Sequence, residues 1–451
     1  MIAPTNRLIF WTAAVFLPCA LVVSAVPEWT LLVLGIMGVF TVLAVVDAVL
    51  STNRFGALHL EFIRTNGGAP LFRLTKDRAG MIGIHIANRD RQPRSLVVGL
   101  SFPPSVESVE ETKIVSIGEQ AEEYRLDWPV TPHKRGEFFL ENIYAAMDSV
   151  VGFWRCRRVF PDHVELRVYP NLLGERNRVA AIFLNRGALG LHARRRVGKG
   201  REFEKLREYI PGDSFEDIHW KATARRAHPI TKVYQVERTQ EVYVILDASR
   251  LSGRTLQDPA QGSVSQLDRF IHAAMILGMV AERQGDLFGL LTFSDRIHGF
   301  VRARNGREHY TVCRDALYTL EPNDVTPDFD EVCSFIRTRL RRRALLVFLT
   351  NLDDPVLSET FARSMDLITR RHLILANMLT PAGVGPLFDR SEVSSVDDVY
   401  KRLSGHLQWR DLRELQRILH RRGVALGLLE NESLTPELVS QYLSIKQRQI
   451  L

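Results

Sequence analysis

The chain has 451 residues, more than one ordinary hydrophobic core accommodates, so two or three modules are expected. Lysine and arginine number 59 against 52 aspartates and glutamates, a mild excess that suits a protein facing a membrane and does not favour nucleic acid as a partner. The four cysteines are scattered without a C-x-x-C pair, which argues against a disulfide framework or a thiolate metal site.

Two apolar runs, residues 8–26 and 29–46, stand near the start of the chain. Each is close to the ~20 residues that a helix needs to cross ~30 Å of hydrocarbon. Basic residues flank the pair on both sides, whereas the short connection carries only Glu28. Under the positive-inside rule, both ends then lie in the cytoplasm. We therefore predict a transmembrane hairpin over residues 8–50, in the cell (inner) membrane, with the soluble bulk cytoplasmic and Asp47 at the cytoplasmic edge.

Residues 57–170 contain many short runs that alternate between apolar and polar side chains. Turn signals such as Asn66-Gly67-Gly68 and Pro103-Pro104 separate these runs. Short strands at this spacing predict an antiparallel β-sandwich. No spacing typical of a catalytic site occurs in the segment, so we interpret it as an interaction or spacer module.

A dense stretch, residues 198–226, follows within the segment 171–240. It reads G-K-G-R-E-F-E-K-L-R-E-Y-I-P-G-D-S-F-E-D-I-H-W-K-A-T-A-R-R. Pro211-Gly212-Asp213 predicts a turn, and Asp213 or Ser214 is placed to cap a short helix before Trp220. Composition alone is equally consistent with a solvated, ion-paired surface helix and turn. We expect Phe203, Leu206, Tyr209 and Trp220 to pack against the domain that follows, because large apolar side chains at this density are rarely left exposed.

The spelling G-x-E-F-E-x-L-R-E-Y-x-P-G-D-x-x-x-x-I-x-W-K-A-T-A-R resembles the signature of the bacterial family known as domain of unknown function 58. One departure is Glu216, where that family often has arginine. The resemblance implies a membrane-anchored protein with a von Willebrand factor A-like domain and a MoxR-type AAA+ ATPase as partner. The signature residues that match, with a partner-binding or structural role, are Glu202, Phe203, Arg207, Glu208, Tyr209, Pro211, Gly212, Asp213, Trp220, Lys221 and Arg225.

Residues 241–451 alternate between strand and helix patterns. Apolar runs at 242–246, 287–293, 344–349, 372–378 and 424–429 predict strands, with helices between them and a last helix capped by Thr435. Strands that are apolar on both faces predict a parallel sheet covered on both sides, as in an α/β Rossmann-type domain. Ligands bind such sheets at the carboxyl ends of the strands.

Asp247-Ala248-Ser249 directly follows the first of these strands. The resemblance implies a D-x-S-x-S motif here, which a threonine and a distant aspartate complete as a Mg²⁺ site of hard oxygens. Asp247 and Ser249 match and Thr326 is the best candidate threonine, but Leu251 replaces the second serine and Asn351 replaces the aspartate. We therefore expect weak or no Mg²⁺ binding and no other cofactor. The alternative is a structural Asp-Ser pair that caps the next segment.

The sequence lacks the phosphate-loop, H-E-x-x-H and G-x-S-x-G spellings. Ser214, Asp217 and His219 form a triad only on paper, because triads depend on spatial geometry. We therefore predict a membrane-anchored adaptor without enzymatic activity that binds its protein partner through the degenerate von Willebrand A-like domain, at the strand-end face that carries Asp247, Ser249, Thr326 and Asn351. The signature then either braces that face or forms a second contact surface. A metal-dependent enzyme or hydrolase of unrecognised type is the alternative, and nucleic-acid binding is a third class that lacks its usual motifs.

Overall fold

The computed structural model describes the chain except for residues 65–70, 91–93, 119–121, 188–196, 212, 236–239, 259–261, 388–394 and 449–451. The chain divides into two compact units, Met1–Asn171 and Leu172–Leu451. Each unit is described by itself.

The first unit opens with a short strand and two long helices: β1 (Ile2–Pro4), α1 (Asn6–Ala25) and α2 (Thr30–Arg54). Thr5 begins α1, because its side-chain oxygen accepts a hydrogen bond from the backbone N–H of Leu8. A single turn of 3₁₀ helix, Pro27–Trp29, connects the helices. Both helices are long and apolar enough to cross a bilayer, and most of their side chains are exposed. The predicted pair of apolar helices is confirmed, and it indicates association with a membrane.

The rest of the first unit is β-structure. Its strands are β2 (Leu58–Phe62), β3 (Leu71–Thr75), β4 (Gly80–Asn88), β5 (Arg94–Leu100), β6 (Val106–Ser108), β7 (Thr112–Ile117), β8 (Glu123–Pro132), β9 (Gly136–Asp148) and β10 (Trp154–Tyr169). One sheet has the order β1-β10-β9-β5-β7 with β3 also beside β10, and the other has the order β2-β4-β8-β6. All pairs are antiparallel except β3 with β10.

Both sheets of the first unit contribute to one hydrophobic cluster. Leu60 and Ile84 come from the smaller sheet, and Val98 and Leu166 come from the larger one. Alternate residues of each strand point to the same face, so β2 buries Leu58, Leu60 and Phe62 and leaves His59 exposed. The alternation seen in the sequence is therefore the pattern that builds this core.

The second unit begins with α3 (Leu173–Gly187), β11 (Val197–Glu208), α4 (Trp220–Arg226) and β12 (Ile230–Gln235). It continues with β13 (Glu241–Asp247), β14 (Thr255–Asp258), β15 (Gly262–Ser265), α5 (Gln266–Arg283), β16 (Leu287–Phe293), β17 (Ile297–Arg304), α6 (Arg307–Leu317), α7 (Phe329–Arg339), β18 (Ala344–Leu349), α8 (Pro355–Met365), β19 (Leu373–Leu379), α9 (Val396–Arg421), β20 (Val424–Leu429) and α10 (Leu434–Arg448).

The main sheet of the second unit has the order β17-β16-β13-β18-β19-β20. Strands β16, β13, β18, β19 and β20 are parallel to one another, whereas the edge strand β17 is antiparallel to β16. The five strands predicted from the sequence are therefore parallel as expected, and β17 is an additional edge strand that was not predicted. Residues 294–296 connect β16 to β17, and so short a turn permits only an antiparallel return.

Helices pack on both faces of this sheet, and β13 supplies side chains to both. Val242 and Val244 contact the cluster formed largely by α5 and α10, whereas Tyr243 and Ile245 contact the cluster formed by α7, α8 and α9. Gly289 on β16 permits the close approach of the Tyr243 ring, because a Cβ at that position would lie 2.5 Å from a ring carbon. The central strand β13 is thus buried on both faces. Its carboxyl end lies beside those of β16 and β18, at the end of the sheet from which the connecting loops leave.

Helix α10 begins one residue before the predicted cap. Thr435 lies buried within its first turn rather than outside it. The predicted cap at Thr435 is therefore wrong.

Candidate functional site

The carboxyl ends of β13, β16 and β18 lie side by side in the second unit. The residues at or just after these ends are polar and include Asp247, Ser249, Ser294, Thr350 and Asn351, all of which are buried. Strand geometry therefore brings Asp247, Ser249 and Asn351 to one edge, as the sequence predicts.

Asp247 uses both carboxylate oxygens inside the protein. Oδ2 accepts a hydrogen bond from the Thr350 hydroxyl at 2.6 Å, and Oδ1 accepts one from the backbone N–H of Ser249 at 2.8 Å. Burial raises the pKa of Asp247, and the hydrogen bonds from Thr350 and Ser249 offset part of that shift. The carboxylate thus ties the end of β13 to the end of β18.

Asn351 is also engaged from within the fold. Its Oδ1 accepts a hydrogen bond from Nε2 of Gln266 at 2.5 Å, which connects β18 to the start of α5. Among the described residues, neither Ser249 Oγ nor Asn351 Nδ2 has a hydrogen-bond partner. Arg254 forms an ion pair with the largely buried Asp353 beside this cluster.

Thr326 differs from the other three candidate ligands, because it is exposed. Its loop contacts the residues that follow β13 through the backbone, where Arg250 N–H donates to Val325 O at 3.1 Å and Asn323 N–H donates to Ala248 O at 2.8 Å. The structure therefore brings together Asp247, Ser249 and Asn351 and leaves the Thr326 side chain at the surface.

This arrangement does not fit an octahedral Mg²⁺ site. Asp247 is the one carboxylate among the four candidate ligands, and both of its oxygens already accept hydrogen bonds. The amide oxygen of Asn351 is likewise occupied by Gln266. Mg²⁺ requires near-ideal geometry from hard oxygen ligands. Weak or absent Mg²⁺ binding stays a prediction, which these contacts support.

A second polar group beside the same edge was missed by the sequence analysis. Ser294 follows β16, and its Oγ lies 2.6 Å from Nε2 of His298, which in turn lies 2.9 Å from Nδ2 of Asn323. The Ser294 hydroxyl donates to Asp295 Oδ1 at 2.7 Å and lowers the pKa of that carboxyl. The strand-end rule, applied to β16 as well as β13, would have found Ser294.

Neither Ser-His grouping forms a relay. In the first, Asp295 contacts the serine instead of the second ring nitrogen of His298, which is where a catalytic aspartate acts. In the second, Nδ1 of His219 accepts a hydrogen bond from Ala222 N–H at 3.0 Å and caps α4. The histidine of the triad considered from the sequence, Ser214, Asp217 and His219, therefore has a structural role.

The signature stretch folds as a β-hairpin with an inserted helix. Strand β11 pairs with β12 in antiparallel register, with Glu202 opposite Gln235 and Phe203 opposite Tyr234. The side chains of Glu202 and Phe203, and Gly212 as a whole, lie outside the described residues. The interpretation of this stretch as a surface helix is wrong for Val197–Glu208, which form the strand β11. The short helical segment predicted before Trp220 is present as a 3₁₀ turn at Phe215–Asp217, with Ser214 at its N-cap position but without a capping hydrogen bond from that side chain. Helix α4 follows and is capped by His219.

An ion pair holds the turn of this hairpin. Arg207 donates to Asp213 Oδ1 at 2.7 Å, and Ile210 N–H donates to Asp213 Oδ2 at 3.1 Å. The hydrogen bond from Ile210 and the charge of Arg207 lower the pKa of Asp213. Arg207 and Asp213 therefore have structural roles, as does the ring of Tyr209, which stacks on Phe215 at 6.1 Å.

Several apolar side chains of the signature are exposed, and burial was expected for two of them. Trp220 is 69% exposed, Phe215 is 74% exposed, and Leu206 and Ile210 are also exposed. The predicted burial of Leu206 and Trp220 is therefore wrong. A two-stranded sheet with one seven-residue helix encloses little volume, and it buries Ile218, Ile230 and Thr231 instead. Glu208, Pro211, Lys221 and Arg225 are exposed as well, with Glu208 lying 3.4 Å from His228.

Comparison with known proteins places most of the signature and the strand-end edge in one family match, which begins after Phe203. Residues 205–382 match the family described as "Protein of unknown function DUF58". Uncharacterized proteins from Mycobacterium tuberculosis and Mycobacterium bovis are each 26% identical over 190 residues, which is 42% of this chain and 57% of theirs. This chain thus spans little more than half the length of the curated relatives that it matches.

Similar solved structures cover nearly half of the chain. BatB from Bacteroides thetaiotaomicron is 12% identical, with a TM-score of 0.31 over 46% of this chain and 99% of that one. An aerotolerance-related membrane protein from Bacteroides fragilis is 11% identical, with a TM-score of 0.30 over the same shares. The SpRpn10 VWA domain is 10% identical, with a TM-score of 0.28 over 45% of this chain and 95% of that one.

Proposed function

We propose that this protein is a membrane-anchored cytoplasmic adaptor that binds a protein partner, and that a MoxR-type AAA+ ATPase is that partner. The pair of apolar helices supports the anchor, and the charge asymmetry around it supports the cytoplasmic side. We interpret the main sheet of the second unit as a degenerate von Willebrand A-like, Rossmann-type domain. We interpret the two sheets of the first unit as a sandwich that is antiparallel except for the β3–β10 pair, where the predicted antiparallel arrangement is wrong.

The observation that carries this proposal is the exposure of aromatic side chains on the signature. Trp220 and Phe215 stand on a short helix and a 3₁₀ turn with most of their surface accessible. Leaving large apolar area in water is unfavourable, and tryptophan is enriched among residues that dominate binding energy. We therefore propose that the exposed apolar side chains of the signature form the contact surface, which we call the Trp220 surface, comprising Leu206, Ile210, Phe215 and Trp220.

The strand-end cluster supports the same choice of surface. Asp247, Ser249 and Asn351 are buried and hydrogen-bonded within the fold, so they reach a partner only if the fold opens. Of the four candidate ligands, Thr326 alone is exposed for direct contact. We therefore assign the strand-end cluster to bracing the domain and the Trp220 surface to contacting the partner.

Charge near the Trp220 surface indicates the chemistry of that partner. Lys221, Arg225 and Arg226 are exposed on α4, the helix that carries Trp220. Basic groups at the rim of an apolar contact favour an acidic counterpart and accelerate association at low salt. We expect the ATPase to present an apolar pocket rimmed by aspartate and glutamate.

The test is association of the full-length protein in detergent with the purified MoxR-type ATPase of the same organism. We expect Trp220→Ala to weaken the Kd by about 30-fold, a loss of roughly 2 kcal/mol typical of a hot spot. Val356→Ala is the matched control, because Val356 is equally exposed on α8, outside the Trp220 surface.

Equal affinity of the Trp220→Ala and Val356→Ala proteins would contradict the Trp220 surface. Failure of the wild-type protein to associate with the ATPase in any nucleotide state would contradict the adaptor function.

The alternative of a hydrolase of unrecognised type rests on one serine–histidine contact, which lacks the carboxylate of a full relay. The Ser294 Oγ lies 2.6 Å from His298 Nε2, within reach for proton transfer. Hydrolysis of activated esters, abolished by both Ser294→Ala and His298→Ala in folded proteins, would support that alternative against the adaptor.

A further inference from the structure

The turn between β9 and β10, residues 149–153, lies against the two apolar helices of the same unit. The indole N–H of Trp154 donates to the carbonyl oxygen of Ala44 on α2 at 2.8 Å. The ring of Phe153 lies 5.8 Å from the ring of Phe40, also on α2. The turn therefore contacts α2 along the last turns of its apolar run.

Asp47 clamps this turn to α2. Its Oδ2 accepts a hydrogen bond from the Ser149 hydroxyl at 2.5 Å, and its Oδ1 accepts one from the backbone N–H of Val151 at 3.0 Å. Asp47 is buried by these contacts. A carboxylate on an apolar helix requires such partners.

Several backbone polar groups of the turn are satisfied within the protein. The N–H groups of Gly152 and Trp154 donate to Ser149 Oγ at 3.1 and 2.9 Å. Thr5 N–H donates to Phe153 O at 2.9 Å, and its hydroxyl donates to Gly152 O at 2.6 Å. These internal hydrogen bonds lower the cost of placing the Gly152–Trp154 backbone close to lipid, which supplies no hydrogen-bond partners.

The tip of the turn is apolar and exposed. Val150 is 53% exposed and Val151 is 55% exposed. Turns that face water usually carry Gly, Pro, Asn, Asp or Ser at such positions. Gly152 adopts the positive φ, +85°, that this turn requires. The turn geometry therefore does not explain the two exposed valines.

Helix geometry gives the depth that the turn reaches. Seven residues separate Phe40 from Asp47, which corresponds to about 10 Å along the helix axis. If Asp47 marks the polar boundary, Phe153 lies about 10 Å towards the bilayer centre. Apolar faces of interfacial elements typically enter the headgroup–acyl boundary by ~5–10 Å.

We propose that residues 149–153 form a third membrane-contacting element, with Val150 and Val151 inserted among lipid at the headgroup–acyl boundary. This proposal rests on the membrane anchorage proposed above. The turn continues the lipid-facing surface of the helices, so the bilayer is its occupant. Because Asp47 holds the turn on α2, the turn fixes the β-structure of the first unit against the membrane surface, and the connection between them is not a flexible linker.

The test uses a fluorophore attached to single cysteines in vesicles that contain nitroxide-labelled lipid. The background is Cys19→Ala, since Cys156, Cys313 and Cys333 are buried. Val150→Cys probes the turn, Leu32→Cys probes an exposed position on α2, and Val109→Cys probes an exposed position between β6 and β7. We expect labels at positions 150 and 32 to be blue-shifted and quenched, and the label at position 109 to be neither.

The outcomes separate the turn from the anchor. Quenching at position 32 with none at position 150 would overturn the membrane-contacting turn and leave the anchor intact. An absence of quenching at both positions would overturn the anchor as well. Asp47→Ala should lower quenching at position 150 while position 32 stays quenched, and unchanged quenching at position 150 would contradict the clamp.

Discussion

The Asp247 carboxylate has two oxygens, and both accept hydrogen bonds from buried donors on neighbouring elements. A metal ion would have to displace the Thr350 hydroxyl and the Ser249 N–H from a fully buried site. Each displaced donor, left without an acceptor, costs about 1–3 kcal/mol. The internal contacts therefore compete with a cation for the same lone pairs.

We accordingly expect titration calorimetry with Mg²⁺ to show no micromolar binding to the wild-type protein. Leu251→Ser with Asn351→Asp adds an oxygen and a carboxylate, and it should strengthen binding if Thr326 can turn inward. Micromolar binding that Asp247→Ala abolishes would contradict this account.

His372 makes stability depend on pH. The residue is buried, and neither ring nitrogen has a hydrogen-bond partner among the described residues. Burial, aided by the charge of Arg371, lowers the pKa of His372 to about 4. As the pH falls, His372 is therefore protonated near pH 6.5 in the unfolded chain but only near pH 4 in the folded chain.

We expect the free energy of unfolding to fall by roughly 1–3 kcal/mol between pH 6.5 and pH 4 because of this group. His372→Leu should remove that part of the decline, and His59→Leu, at an exposed position, should not. Urea unfolding in detergent at several pH values measures the difference. Parallel declines in the wild-type and His372→Leu proteins would contradict the assignment.

At the scale of elements, predictions succeeded for strands that are continuous runs of mainly apolar side chains. The bounds of β16, β18 and β20 match the predicted ranges, because their apolar runs stop at polar residues. Strand β17 was missed because it lies at the sheet edge and carries Arg302 and Arg304 among partly exposed residues. Strand β11 was missed because glutamate, lysine and arginine also favour helices, and only pairing with β12 decides between the two.

The apolar helices carry a prediction of topology. Basic residues flank both ends of the pair, so we expect the sites after α2 and at the C-terminus to be cytoplasmic. Fusions at Arg54 and Leu451 to an export-dependent reporter should be inactive, and fusions to a cytoplasmic reporter should be active. Activity of the export-dependent reporter at either site would contradict the cytoplasmic placement.

For the whole molecule, the helical pair and the α/β elements of the second unit could be predicted, because length, apolarity and period are local properties of the sequence. The candidate site could be predicted only in part. The strand-end rule brought Asp247, Ser249 and Asn351 together, but it could not show their hydrogen bonds. Thr350, which donates to Asp247, lies on a distant part of the chain, and Gln266, which donates to Asn351, lies on α5. The exposure of Trp220 likewise depends on how little volume the β11–β12 hairpin encloses.

The central claim is that this chain holds a partner ATPase at the membrane through the Trp220 surface. The most direct measurement is purification of the tagged full-length protein from its own membranes, with identification of the proteins that accompany it. We predict that a MoxR-type AAA+ ATPase accompanies the wild-type and Val356→Ala proteins and is depleted from the Trp220→Ala protein. Recovery of the wild-type protein from membranes without any AAA+ ATPase would contradict the claim.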